Sequence, residues 1–152
     1  MHDDKPRLLA DNHLFGVETR KYFEKLQEKR GLDKSVITHG WIIAYLYHTT
    51  IVEKQSVYQK DVEKKMHLPR STATTILQKF EREGMVRRVS VDGDARLKRI
   101  ELTPGGVEFY NNTITDFEET EARARRGITD EEYEQFLKIL DKMRSNFEKE
   151  EC

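Results

Sequence analysis

Between Pro69 and Leu102 the apolar period changes from that of a helix to that of a hairpin, and few folds accommodate this change in so short a span. Ala73, Ile76, Leu77 and Phe80 fall at i, i+3, i+4 and i+7, which draws one apolar stripe along a helix that ends near Glu83 at Gly84. Pro69 suits the first turn of that helix, where its missing amide hydrogen costs nothing. Met85–Val91 and Leu97–Leu102 then read as strands rich in β-branched residues, joined by a turn at Asp92-Gly93. Upstream, Ser56 with Gln59 three residues later has the capping-box pattern and predicts a short helix to Met66, followed by a turn at His67-Leu68. Helix, short turn, helix and basic hairpin, in this order, predict a winged helix-turn-helix.

Longer helices flank this unit. Pro6 to about Arg30 carries Phe15, Tyr22 and Leu26 near one face, widened by Leu14, Val17 and Phe23, and Gly31 ends it. Ser35 is the expected cap of a second helix reaching about His48. Ile37 and the run from Trp41 to Leu46 make it apolar nearly all round, which predicts a central, buried element. Thr49–Gln55 reads as a polar connection. Thr103-Pro104 begins a long helix to about Arg126, with Val107, Tyr110, Ile114 and Phe117 on one side. Gly127 breaks it, and Thr129 with Glu132 forms a second capping box. The last helix aligns Tyr133, Phe136, Leu137, Leu140, Met143 and Phe147. These stripes exceed what one small winged domain covers, and they predict a stable homodimer. The expected fold is mainly α with a small β-hairpin wing, one domain over 1–152. Dimerisation helices are expected at 6–34 and 103–150, and the DNA-binding region at 36–102.

Charge supports this division. Residues 54–99 hold 12 Lys/Arg and 6 Asp/Glu, whereas 101–152 hold 7 and 14, within a chain of formal net charge −1. A basic middle on a near-neutral chain is the footprint of a local phosphate-binding surface. On the helix ending at Glu83, the face opposite the apolar stripe presents Arg70, Ser71, Thr74, Thr75 and Gln78. These groups bond base edges or phosphate oxygens, and arginine pairs with guanine through two bonds. Arg96 sits at the far side of the hairpin turn, suited to the negative potential of a minor groove, with Asp94 placed to orient its guanidinium. Arg87, Arg88, Lys98 and Arg99 on the strands are expected phosphate partners. Double-stranded DNA is therefore the expected partner. The rival reading is a winged-helix protein–protein interaction module without DNA binding, for which the excess of Lys and Arg has no use.

Other chemistries find little purchase. His2, His13, His39, His48 and His67 lack the paired spacing of a zinc enzyme, no glycine-rich phosphate loop is present, and no nucleophile is paired with a base, so neither an enzyme nor a metal site is expected. Cys152 is the sole cysteine and predicts no disulfide framework. No apolar run approaches a membrane span, and no secretory signal is legible, so a cytoplasmic protein without membrane contact is expected.

The chain resembles the multiple-antibiotic-resistance regulator (MarR) family from about Val36 to Phe147. Gln59-Lys60-Asp61-Val62 to Leu68 is similar to that family's first motif helix. Arg70-Ser71-Thr72-Ala73-Thr74 through Phe80 to Val86 is similar to its recognition helix and the start of its strand. Asp94-Ala95-Arg96, then Ile100 to Thr103 and Gly106, are similar to its wing and the start of the next helix. The pattern departs at Pro69, where a capping Ser is usual; at His67, where glycine is frequent; and at Leu97, where Asp is common. The resemblance implies an obligate homodimer with interleaved terminal helices, reading a near-palindromic operator. It also implies a repressor released by a small organic ligand, a metal or cysteine oxidation. With no metal site legible and Cys152 alone, a small organic effector or no ligand at all is left, and no bound cofactor is expected. Phe15, Trp41, Tyr45, Phe109 and Tyr110 either line an effector cleft or belong to the core.

Overall fold

The computed structural model describes residues 6–31 and 35–148, with the side chains of 35–38 and of residue 95 left aside. The expected roles of the Ser35 and Ile37 side chains, His2 and Cys152 lie outside the described residues. The chain divides into two compact units, 1–117 and 118–152.

The first unit runs α1 (Arg7–Lys29), α2 (Ser35–Leu46), a π-helical turn (Tyr47–Val52), β1 (Val57–Tyr58), α3 (Gln59–Met66), α4 (Arg70–Arg82), β2 (Val86–Val91), β3 (Asp94–Leu102) and the greater part of α5 (Pro104–Ala124). The strands form one antiparallel sheet in the order β1-β3-β2. Ile42, Ile43 and Leu46 of α2, Val57, Val62 of α3, Ile76, Leu77 and Phe80 of α4, and Val86 and Ile100 of the sheet close a common core. The helical stripe and the strand alternation thus supply the two sides of one apolar interior.

α4 matches its stripe: Ala73, Ile76, Leu77 and Phe80 are its buried residues, and the helix stops before Gly84, whose φ of +74° favours glycine. Gly93 takes φ +91° in the hairpin turn. At the base of the hairpin the Thr103 amide donates to the Met85 carbonyl at 3.0 Å, and the Thr103 hydroxyl caps α5 by accepting from Gly106 N–H at 3.1 Å. Gly106 is needed there because a Cβ would come within 2.2 Å of the Met85 carbonyl oxygen.

Three local expectations are corrected. The polar connection at 49–55 is largely helical: α2 continues through the π-helical turn to Val52, and the Thr50 hydroxyl bonds the Leu46 carbonyl at 2.6 Å. Ser56 does not cap α3. Val57 and Tyr58 instead pair with Ile100 and Arg99 as a third strand, and α3 begins at Gln59 with Asp61 accepting the Tyr58 N–H at 2.8 Å. Burial of the β-branched Val57 side chain and the ladder to β3 outweigh a cap on Ser56. α2 is not buried all round, because Trp41 is 61% exposed and rests its ring on Phe117 at 4.6 Å.

Between α1 and α5, the fully buried Asp116 carboxylate takes an ion pair from Arg30 at 2.8 Å and a short hydrogen bond from the Gln27 side chain. Arg30 also donates to the Asn112 carbonyl at 3.0 Å.

In the second unit, Gly127 (φ +78°) turns the chain from the end of α5 into α6 (Asp130–Glu148). The second capping box forms as expected, with Thr129 N–H donating to Glu132 at 2.8 Å and Glu132 N–H donating to the Thr129 hydroxyl at 3.2 Å. Arg125 lies 3.8 Å over the Tyr133 ring, whose hydroxyl donates to Glu121 at 2.7 Å. α6 has no buried residue, and Phe136, Leu140 and Phe147 of its apolar stripe are exposed.

Candidate nucleic-acid interface

The turn between α3 and α4 sets the site. His67 caps α3 in the left-handed region at φ 51°, ψ 47°, where glycine would sit more easily. Pro69, at φ −59°, then stands just before α4, and its carbonyl accepts the Ala73 amide at 3.0 Å. Proline thus supplies the entry geometry that a capping serine would otherwise give, without a side-chain bond. With one face of α4 committed to the core, Arg70, Ser71, Thr75 and Gln78 are exposed and Thr74 is half-buried.

The start of α3, the start of α4 and the wing together enclose an open groove of about 400 Å³. It is lined by Gln59, Lys60, Glu63, Arg70, Thr74, Arg88, Arg96 and Lys98, with Tyr58 and Leu97. Arg70, Arg96 and Lys98, named from sequence at separate places, come together here. Lys60 joins them from the first turn of α3, and neither it nor Gln59 was among the expected site residues. Their signal was available in principle, since the first turn of a helix presents unpaired amide hydrogens and favours anions. Among the described residues, Lys60, Arg70, Arg96 and Lys98 form no internal ion pair.

The strand pleat sorts the other cations. Arg88 pairs with Ile100 and Ser90 with Lys98 in the register of β2 and β3, so Arg88 and Lys98 share the face that meets the groove. Arg87 pairs with Glu101 and Val89 with Arg99, on the opposite face. There Glu101 accepts from Arg99 at 2.6 Å and from Arg87 at 3.1 Å. Those bonds, from Arg99 first, hold the Glu101 carboxyl below its ordinary pKa. Arg88, although on the groove face, is bound to Glu81 at 2.8 Å. Three of the four strand cations are therefore already paired, and Lys98 is the free one among the described residues.

Asp94 acts differently from its expected role. Its carboxylate accepts the backbone N–H of Arg96 at 2.9 Å and does not hold the guanidinium. An Asx-type turn of this kind fixes the backbone of the tip and leaves the arginine side chain exposed.

Among the aromatic residues, Tyr110 is buried and stacks on Tyr47 at 3.9 Å, with its hydroxyl 3.1 Å from His48 Nε2. Tyr45 and Phe109 pack partly buried on the core, while Phe15 and Trp41 remain exposed. His39 meets Phe80 of α4 edge-on at 5.9 Å, and burial followed by the nearby Lys79 lowers its pKa.

Comparison with known proteins agrees with this geometry. Residues 42–97 match a family model described as the MarR family. The HTH-type transcriptional regulator YybA of Bacillus subtilis is 26% identical over 106 residues, 70% of this chain and 71% of that protein. The homoprotocatechuate degradative operon repressor of Escherichia coli is 30% identical over 91 residues, 60% of this chain and 62% of that protein. The S. aureus MepR–DNA complex shares the fold, with a TM-score of 0.76 at 23% identity, over 91% of this chain and 96% of that one. With its helix-turn-helix, wing and groove in this arrangement, the chain is similar to the MarR family over residues 42–97 and shares the fold of the MepR–DNA complex.

Proposed function

We propose that this chain is a sequence-specific DNA-binding transcriptional regulator, working as a homodimer on a near-palindromic site and repressing until a small organic effector releases it. One observation carries the DNA-binding part: Lys60, Arg70, Arg96 and Lys98 converge on one groove beside the polar face of α4. Cations without internal partners at the mouth of a helix-turn-helix match the charge of a duplex backbone. The relative named as an operon repressor supports repression, and the solved MepR–DNA complex supports duplex DNA as the partner. The exposed Trp41 and Phe15 supply apolar surface suited to an organic effector. The division of labour follows: 36–102 reads DNA, and 6–34 with 103–150 assembles the dimer.

The dimer rests on apolar residues exposed on helices at both chain ends: Leu8 and Leu14 on α1, and Phe136, Leu140 and Phe147 on α6. Sedimentation at micromolar concentration is expected to show a dimer, and a monomer there would overturn this part. On an operator, footprinting is expected to show two half-sites about one helical turn apart.

Arg96 and Arg70 separate two kinds of contact. Arg96→Ala is expected to weaken binding to all duplexes, with at most a change in preference for A·T-rich flanks, because the minor groove code is degenerate. Arg70→Ala is expected to cost about 1–3 kcal/mol and to relax preference at one base position per half-site, as removal of a two-bond guanine interaction would. Binding to a panel of single-base operator variants measures both. Unchanged binding by the Arg96 variant would refute the role given to the wing.

A further inference from the structure

We infer that Thr74 reads thymine through its methyl group and does not act as a hydrogen-bond donor to a base. This rests on the DNA-binding reading above and assigns part of its specificity. The Thr74 hydroxyl has one hydrogen, and it is donated to the Arg70 carbonyl four residues back, at 2.9 Å. The same oxygen accepts the Gln59 side-chain amide at 2.8 Å, and Gln59 also donates to Glu63 at 3.1 Å. Gln59, on α3, therefore pins the Thr74 oxygen from the neighbouring helix and shields it. A base edge that needs a donor, such as guanine O6 and N7 or thymine O4, finds none at this side chain. Thr74 lines the groove, and the part of its side chain that makes no hydrogen bond is the methyl, whose match in the major groove is the thymine C5-methyl.

Its neighbour is in the same state. The Thr75 hydroxyl donates to the Ser71 carbonyl at 3.0 Å. Of the five α4 residues on the expected binding face, Arg70, Ser71 and Gln78 are then left for donor readout, and their side chains make no internal hydrogen bond among the described residues.

The test uses the full-length chain and duplexes it selects from a random library. Each thymine of the selected duplex is replaced singly by deoxyuridine, which removes only the C5-methyl. Wild type, Thr74→Val and Thr74→Ser are titrated against the set at one salt concentration, and thermal melting followed by circular dichroism reports folding. At one thymine per half-site, uridine is expected to weaken wild type about fourfold, the factor for one buried methyl-sized group. Thr74→Val is expected to keep that discrimination. Thr74→Ser is expected to lose it, binding the thymine duplex about fourfold more weakly and the uridine duplex like wild type. Wild type indifferent to uridine at every position would overturn the assignment, as would discrimination kept by Thr74→Ser. Should Thr74→Val not fold, the serine variant alone decides. Failure of the library to yield any enriched duplex would instead overturn the DNA-binding reading itself.

Discussion

Affinity for the operator is expected to fall by about 10³–10⁵ between 50 and 200 mM salt, the range for six to ten neutralised phosphates. Lys60, Arg96 and Lys98 line the groove beside Arg70, and in the proposed dimer these three would be doubled, which reaches the lower end of that range. Each neutralised phosphate releases condensed counterions, so log affinity should fall linearly with log salt, with a slope of about −0.9 per phosphate. The pairing on the wing sharpens the expectation. Arg87 and Arg99 are bound to Glu101 on the face away from the groove, and should add little to the slope. The bonds from Arg99 first, and then from Arg87, favour the charged form of Glu101 that holds both arginines. Fluorescence anisotropy at several salt concentrations measures the slope for wild type, Lys98→Ala and Arg87→Ala. Lys98→Ala is expected to make the slope shallower by about 0.9 for each phosphate that the lysine no longer neutralises, and Arg87→Ala to leave it unchanged. A flat response in the wild type would remove phosphate binding from the mechanism.

The contrast between Lys98 and Arg87 also marks where sequence stops being informative. The α4 stripe was legible because four apolar residues at helical spacing have only one way to be buried together. The hairpin was legible because Asp92-Gly93 divides two runs of strand period. Which strand cations face the groove was not legible, because it depends on the register of β2 against β3, and a one-residue slip would exchange the two faces. The same limit explains Val57 and Tyr58. They stand next to a capping signal, and only the arrival of β3 more than forty residues later in the chain makes them a strand. Lys60 was missed because charge on a short helix reads as a solvated surface until the wing closes over it. The role of Asp94 was half legible: its spacing from Arg96 was right, but the bond goes to the backbone.

The two faces of α4 predict opposite consequences for adjacent residues. Leu77 is fully buried, among the largest side chains in the core, and belongs to the cluster that α2, α3, α4 and the strands close together. Leu77→Ala removes that volume and leaves a cavity that α3, α4 and the strands cannot fully collapse around, since each also holds other core residues in place. The expected cost is about 2–5 kcal/mol. For a chain of this length that corresponds to a fall in Tm of about 4–20 °C, taking about 2–4 °C per kcal/mol. Gln78, the next residue, is exposed on the other face. Gln78→Ala is expected to change stability by less than about 0.5 kcal/mol, as surface substitutions do. Its effect should instead appear in operator preference, because its amide is one of the free donors of α4 and pairs well with adenine. Thermal melting and binding to single-base operator variants separate the two readouts. At a temperature where both variants are folded, the Leu77 variant should keep the wild-type base preference, while the Gln78 variant keeps the wild-type Tm and loses preference at one position. A Gln78 variant that melts early and binds normally would mean that the face of α4 turned from the core is structural, and the orientation given to the recognition helix would be wrong.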